Sequence, residues 1–185
     1  MPFLRLRHSD EDDDFNWNYG LSLAACGNFK MAEKYLLRIQ SKAYKSKVIY
    51  LKWLSKCFIM NKNPQRAWEL YLTHENDDFS LHVLQIVGND CYQMGYFLYS
   101  ARAFHVLSNS DTNALHWEGK RGACAGFFQN AIAQKQGLLK RNQSSLWGKE
   151  LEEVIRMLRD AKNPQADHMT KVITTWRQTH LSDQK

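Results

Sequence analysis

The sequence predicts an all-α protein of antiparallel helix pairs stacked as repeats, and three observations lead there. Nine Gly and three Pro in 185 residues leave few places to interrupt a helix or to build the turns of a sandwich or barrel. Apolar or small residues recur at i, i+1, i+4 as Tyr19, Gly20, Leu23, then Leu54, Ser55, Phe58, then Val87, Gly88, Cys91. From Gly20 to Ser55 to Gly88 the steps are 35 and 33 residues, the period of a two-helix unit.

Each unit has the same internal plan. Twelve residues after the small residue stand Ala32, Ala67 and Ser100, and four later Leu36, Tyr71 and Phe104. Small residues on both helices let the two backbones approach closely. Between the helices, Gly27 and Gly95 can take positive φ at the end of the first helix. Lys62 holds that offset in the second unit, where Asn63 and Pro64 supply an N-cap and a first helical residue instead. Lys62-Asn63-Pro64-Gln65 returns as Lys162-Asn163-Pro164-Gln165, one hundred positions on, so a fourth, degenerate pair should turn at Pro164. The spacing predicts helices over 15–26, 28–41, 46–60, 64–75, 80–94, 96–108, 113–135, 149–161 and 165–180. Asn76-Asp77-Asp78 and Ser108-Asn109-Ser110-Asp111 read as short loops, and Gly137 to Gly148 as a polar linker. Leu151, Val154, Ile155 and Leu158, then Met169, Val172, Ile173 and Trp176, form two closing apolar stripes. The expected organisation is an acidic flexible segment over 1–14, three repeats over 15–108, and degenerate helical repeats over 109–185 with the linker near 137–148.

Composition removes several function classes. Hydrophobic residues at 44% and charged residues at 24% describe a globular chain rather than a disordered tail. Cys26, Cys57, Cys91 and Cys124 lie 31, 34 and 33 residues apart without a CxxC or a Cys/His cluster, so no zinc site is expected. Met1 to Arg7 lacks an apolar core and no apolar run approaches the length of a membrane span, so secretion and membrane insertion are not expected. Reduced thiols then follow, and Asn142-Gln143-Ser144 is a chance sequon. No nucleophile elbow, phosphate loop or HExxH is present, and the seven histidines share no ligand spacing, so neither catalysis nor a cofactor is expected.

Charge is uneven. Asp10 to Asp14 are all acidic, while Lys34 to Arg66 contains nine basic residues and no acid. The acidic run lacks EF-hand spacing and reads as solubilising. The basic stretch would attract an acidic partner, whether a protein surface, an acidic tail, nucleic acid or a charged membrane face. No nucleic-acid motif accompanies it, and most of it reads as solvated helix faces and loops. The six tryptophans, Trp17, Trp53, Trp68, Trp117, Trp147 and Trp176, are expected to be mainly structural, although exposed aromatics can anchor partners.

The repeat offsets resemble the tetratricopeptide repeat, which implies a right-handed superhelical solenoid. Longer strings point further: Asn16-Trp17-Asn18-Tyr19-Gly20, Ala24-Ala25-Cys26-Gly27-Asn28-Phe29-Lys30, Tyr50-Leu51-Lys52-Trp53-Leu54, Ile59-Met60-Asn61-Lys62-Asn63-Pro64, Ala67-Trp68-Glu69-Leu70-Tyr71-Leu72 and Trp117-Glu118-Gly119-Lys120-Arg121-Gly122-Ala123-Cys124. Together, from about Phe15 to Trp176, they resemble the C-terminal part of the family of intraflagellar transport protein fifty-six. The resemblance implies a non-catalytic scaffold of intraflagellar transport complex B, at the cilium, the ciliary base and in the cytoplasm. It implies other complex B subunits and motility-related cargo as partners. The alternative is a generic cytosolic adaptor outside cilia. A chaperone-type carboxylate clamp is missing, because its places hold Trp17, Leu21, Trp53, His82 and Ile86.

In such repeats the first helix lines the concave side, and there Lys52 and Lys56 stand four residues apart on one face. With Lys45 and Lys47 they are the candidate contact for an acidic partner segment. Family proteins carry further repeats before this region. Without them, Trp17, Tyr19 and Phe29 are expected to be partly exposed and to favour self-association.

Overall fold

The computed structural model describes residues 12–76, 79–110, 113–138, 147–161 and 163–181. Residues 1–11, most of the 137–148 linker with its sequon, and Lys162 lie outside them. Among the described residues there are ten helices and no strand: α1 (Asp13–Ala25), α2 (Phe29–Arg38), α3 (Lys42–Lys45), α4 (Val48–Met60), α5 (Pro64–Thr73), α6 (Ser80–Gln93), α7 (Phe97–Ser110), α8 (Ala114–Lys135), α9 (Trp147–Arg159) and α10 (Pro164–Leu181). The all-α, tetratricopeptide-like fold is thereby confirmed. The chain divides into two compact units, residues 1–90 and 91–185, with the division inside α6.

In the first unit α1 packs on α2, α2 on α4, and α4 on α5. The small residues stand where the period puts them: Gly20 is buried and Ala32, Ser55 and Ala67 are fully enclosed. A Cβ on Gly20 would lie 3.0 Å from the side chain of Leu36, itself fully buried, so glycine sets the α1–α2 approach. Tyr50 donates its hydroxyl to the Leu36 carbonyl at 3.1 Å, tying the second repeat to the first from inside the core. Tyr71 is buried, as is Gly88 on α6.

The helix ends repeat a single device. Gly27, Lys62, Gly95 and Gly137 all have positive φ, between 65° and 80°. In each case the following amide donates back one turn: Asn28 to Leu23, Asn63 to Phe58, Tyr96 to Cys91 and Leu138 to Ala133, at 2.8–2.9 Å. These are Schellman closures, which favour glycine. Lys62 therefore adopts the left-handed turn itself, and Asn63, read as the side-chain cap of α5, makes no side-chain cap bond. Its later counterpart Asn163 does cap, accepting from the Gln165 amide at 2.9 Å, and α10 starts at Pro164 as expected.

Two further boundaries depart from the pattern. Asp12 caps α1, accepting from the Asp14 and Phe15 amides, so the last acids of the run are helix-start residues rather than flexible ones. Asp13 accepts from the Gln40 and Ser41 amides at 2.8 and 2.7 Å, which draws the chain out of α2 after Arg38 and seeds the one-turn α3.

In the second unit, α7, α8, α9 and α10 share a core of Leu98, Ala101, Cys124, Phe127, Leu151, Val154, Ile155, Leu158 and Ile173 among others. Ser100 and Phe104 on α7 are also buried. The expected α9 stripe is enclosed, but on α10 the inward face runs through Ala166, Thr170 and Ile173, leaving Val172 45% exposed. The 22-residue α8 carries three glycines that seat aromatic rings. A Cβ on Gly119 would meet Phe104 at 2.6 Å, on Gly122 Tyr92 at 3.2 Å, and on Gly126 Phe97 at 2.8 Å. Helix propensity alone would favour alanine at all three.

Gly119→Ala and Gly126→Ala should each destabilise the chain by about 1–3 kcal/mol, because the buried Phe104 ring or the partly buried Phe97 ring must move. Gly148→Ala, with nothing within 4 Å of its Cβ, should stabilise by up to about 1 kcal/mol. Urea midpoints check both signs, and a gain at Gly119 would contradict the ring-slot packing. Lys62→Gly should raise stability by about 1 kcal/mol by relieving the left-handed backbone, and an unchanged midpoint would contradict that strain.

Candidate partner-binding surface

The four lysines singled out by sequence occupy α3, the turn after it and α4. Lys45 ends α3, Lys47 is the N-terminal flanking residue of α4, and Lys52 and Lys56 lie one turn apart along it. Their surroundings differ. The Lys47 ammonium lies over two rings, 5.0 Å from the centroid of Trp17 and 4.5 Å from that of Tyr44. Those rings are 4.8 Å apart, and the Tyr44 hydroxyl bonds the Asp14 carboxylate, an acceptor that raises the phenol above its ordinary value. Lys47 thus closes the α1–α3 junction by cation–π attraction.

Lys56 is also engaged. Its ammonium lies 3.3 and 3.4 Å from the two Asp90 oxygens, and the Asp90 side chain is only 11% exposed. The pair joins α4 to α6 inside the first unit. Lys45 and Lys52, by contrast, have no carboxylate within ion-pair distance among the described residues. Of the four sequence candidates, these two keep uncompensated charge.

Around Lys52 the open face of α4 is mixed. Ile49 is 43% exposed, and Trp53, Lys56 and Met60 are half-buried. Positions 49, 52, 53, 56 and 60 lie on one helical stripe. A partner segment fitting it needs apolar residues for Ile49, Trp53 and Met60 and an acid for Lys52. Elsewhere in the basic stretch, Arg66 binds Glu33 at 2.6 Å, and Asn61 donates to the same carboxylate at 2.6 Å and to the Phe29 carbonyl. Arg66 is therefore a repeat-to-repeat tie, which the 33-residue spacing between Glu33 and Arg66 could have signalled.

At the α1–α2 end, Phe15, Tyr19 and Met31 are 36–42% exposed, with Tyr19 4.8 Å from Tyr35 in an edge-on contact. Trp17 and Phe29 are half-buried. Trp68 packs on Tyr71, Trp176 on Phe128, and Trp117 against the second core. The Trp147 side chain lies outside the described residues.

The Cys57 and Cys124 thiols are both pushed up to about 12 by burial, so neither supplies a thiolate near neutral pH. No group of three metal-ligating side chains occurs among the described residues. None of the described helices is long and apolar enough to cross a membrane.

The family profile described as "Intraflagellar transport protein 56" matches residues 6–184. The chain is also 31% identical over 169 residues to a Caenorhabditis elegans protein described as an intraflagellar transport protein 56 homolog, covering 91% of this chain. It spans 28% of the length of that curated relative.

Proposed function

The chain belongs to the intraflagellar transport protein 56 family, and from that premise we propose that it is a non-catalytic scaffold segment of intraflagellar transport complex B. In this reading it supports cilium assembly and the movement of motility-related cargo into cilia. It works at the cilium and its base, with other complex B subunits and cargo proteins as partners. The family match across nearly all the described helices carries the reading. The stacked helix pairs support it, since they offer extended surfaces of mixed polarity suited to holding other proteins. Lys45 and Lys52 with the apolar stripe of α4 form the contact for an acidic, partly apolar partner segment. Lys47 and Lys56 hold that surface in shape through Trp17, Tyr44 and Asp90.

Affinity capture of the tagged chain from ciliated cells tests this. Complex B subunits should co-purify, and Lys45→Glu with Lys52→Glu should lower their recovery about tenfold, or about 1.4 kcal/mol, without changing helicity. Full recovery with both charges reversed would remove the lysines from the contact, and absence of complex B subunits with the folded wild type would overturn docking through this segment. The exposed rings of Phe15 and Tyr19 support self-association of the isolated chain. Its scattering mass should rise with concentration and fall back in Tyr19→Ser, whereas a monodisperse monomer at high concentration would contradict this.

A further inference from the structure

Lys120 on α8 stands 33 residues after Val87 and 66 after Leu54, at a place where earlier repeats bury an aliphatic side chain. It is nevertheless only 1% exposed. No carboxylate lies within ion-pair distance of its ammonium among the described residues. Its polar neighbours are on the last turns of α7: His105 Nδ1 at 3.1 Å and Ser108 Oγ at 3.5 Å, with the Trp117 ring centroid 6.0 Å away. The far side of the imidazole, Nε2, faces the Asp160 carboxylate at 3.7 Å, just beyond the end of α9.

This order fixes the protons. An ammonium donates only, so with Lys120 charged His105 Nδ1 accepts and the ring proton sits on Nε2, toward Asp160 and the Asn109 side-chain amide 3.5 Å away, which then presents its oxygen. Two basic nitrogens 3.1 Å apart thus share one proton, and lysine, the stronger base, holds it.

We propose that Lys120 and His105 form an acid-sensitive latch, which fastens α8 to α7 and opens when His105 takes up a second proton, Asp160 beyond α9 drawing closer to the imidazolium but not offsetting the Lys120 repulsion. That proton comes from solvent and must enter at Nδ1, whose lone pair accepts from the Lys120 ammonium, so this hydrogen bond is lost as the proton binds. Two cations then face one another across 3.1 Å, the ammonium enclosed and the imidazole side chain 21% exposed, so that the repulsion is only partly screened. Lys120 cannot turn outward without parting α7 from α8, so relief comes from opening the site.

The surrounding charges set the direction. Burial, then Lys120 and, more weakly, Arg156 hold the imidazole below its ordinary 6.5, while Asp160 and Glu153 oppose this. Glu153 is already bound by Arg102 at 2.6 and 2.7 Å, and Cys124 near Lys120 is a neutral thiol held up to about 12 by burial. With the folded value below the unfolded one, the stability is complete above pH about 6.5 and is lost as pH falls through the folded value. Lys120 is itself lowered by burial, and its linkage lies at the alkaline end, where stability rises toward pH 10.5.

Melting of the full chain between pH 8 and pH 5 tests the latch. The wild type should lose an acid step of at least about 2–4 °C that is missing in His105→Gln, whose amide oxygen accepts from Lys120 without titrating. Lys120→Met should show a smaller step, since burial still holds the imidazole down but the imidazolium no longer faces the ammonium. Equal acid slopes in all three proteins would overturn the latch. Should either variant fail to fold, nitrogen shifts of His105 in the wild type decide. An Nε2–H tautomer with a midpoint below 6.5, coincident with faster amide exchange in α7 and α8, is expected. An Nδ1–H tautomer, or a midpoint at or above 6.5, would overturn it.

Discussion

How closely two helix backbones can approach governs the rest of this structure. A helix pair of this size has too little apolar surface to be stable alone, so each buries its inner face against its neighbours. The approach is set by residues without bulk. Gly20 admits the side chain of Leu36 between α1 and α2, and Ala32, Ser55 and Ala67 are fully enclosed in the first unit. In the second unit the same constraint takes another form, with Gly119, Gly122 and Gly126 making slots on α8 for Phe104, Tyr92 and Phe97. Glycine costs helix propensity at each slot, and the ring it seats returns that cost as buried apolar contact.

Polar ties then fix the register that packing permits. Glu33 gathers Asn61 and Arg66, Lys56 meets Asp90, and Arg102 holds Glu153 through two bonds. Each half-buried pair spends a charge that the sequence alone would assign to the surface. The functional consequence lies in what remains. In a stretch of nine basic residues without an acid, Arg66 and Lys56 serve the fold and Lys47 rests on rings, so that of the four lysines singled out by sequence only Lys45 and Lys52 have no such engagement among the described residues. In the proposed scaffold reading, specificity comes from the few charges that the chain's own stacking does not engage.

Much of this was legible in the sequence because it is periodic. The helix pairs, the enclosed Ala32, Ala67 and Ser100, the left-handed Gly27 and Gly95, and the turn at Pro164 all follow from one repeat length and the conformational freedom of glycine and proline. What escaped depends on contacts far apart in sequence. Asp13 clamping the amides of Gln40 and Ser41 shortens α2, and no local pattern announces a carboxylate arriving from 27 residues away. Lys62 adopts a turn normally left to glycine because the closure around it is otherwise the same. Lys120 reads as a surface lysine until the register is carried into α8, where its place is a core one. The apolar stripe of α10 misplaced Val172, since period alone does not say which edge of a stripe meets α9.

Amide hydrogen exchange in a Gly20→Leu variant tests the stacking account most directly. The larger side chain should push α2 from α1 through Leu36 and, through the Leu36 carbonyl bonded by Tyr50, loosen α4. Exchange should therefore rise in α1, α2 and α4 while α9 and α10 keep their wild-type protection. A uniform rise across all helices, or no change in α2, would contradict the claim that neighbour-to-neighbour approach at small residues holds the helices together.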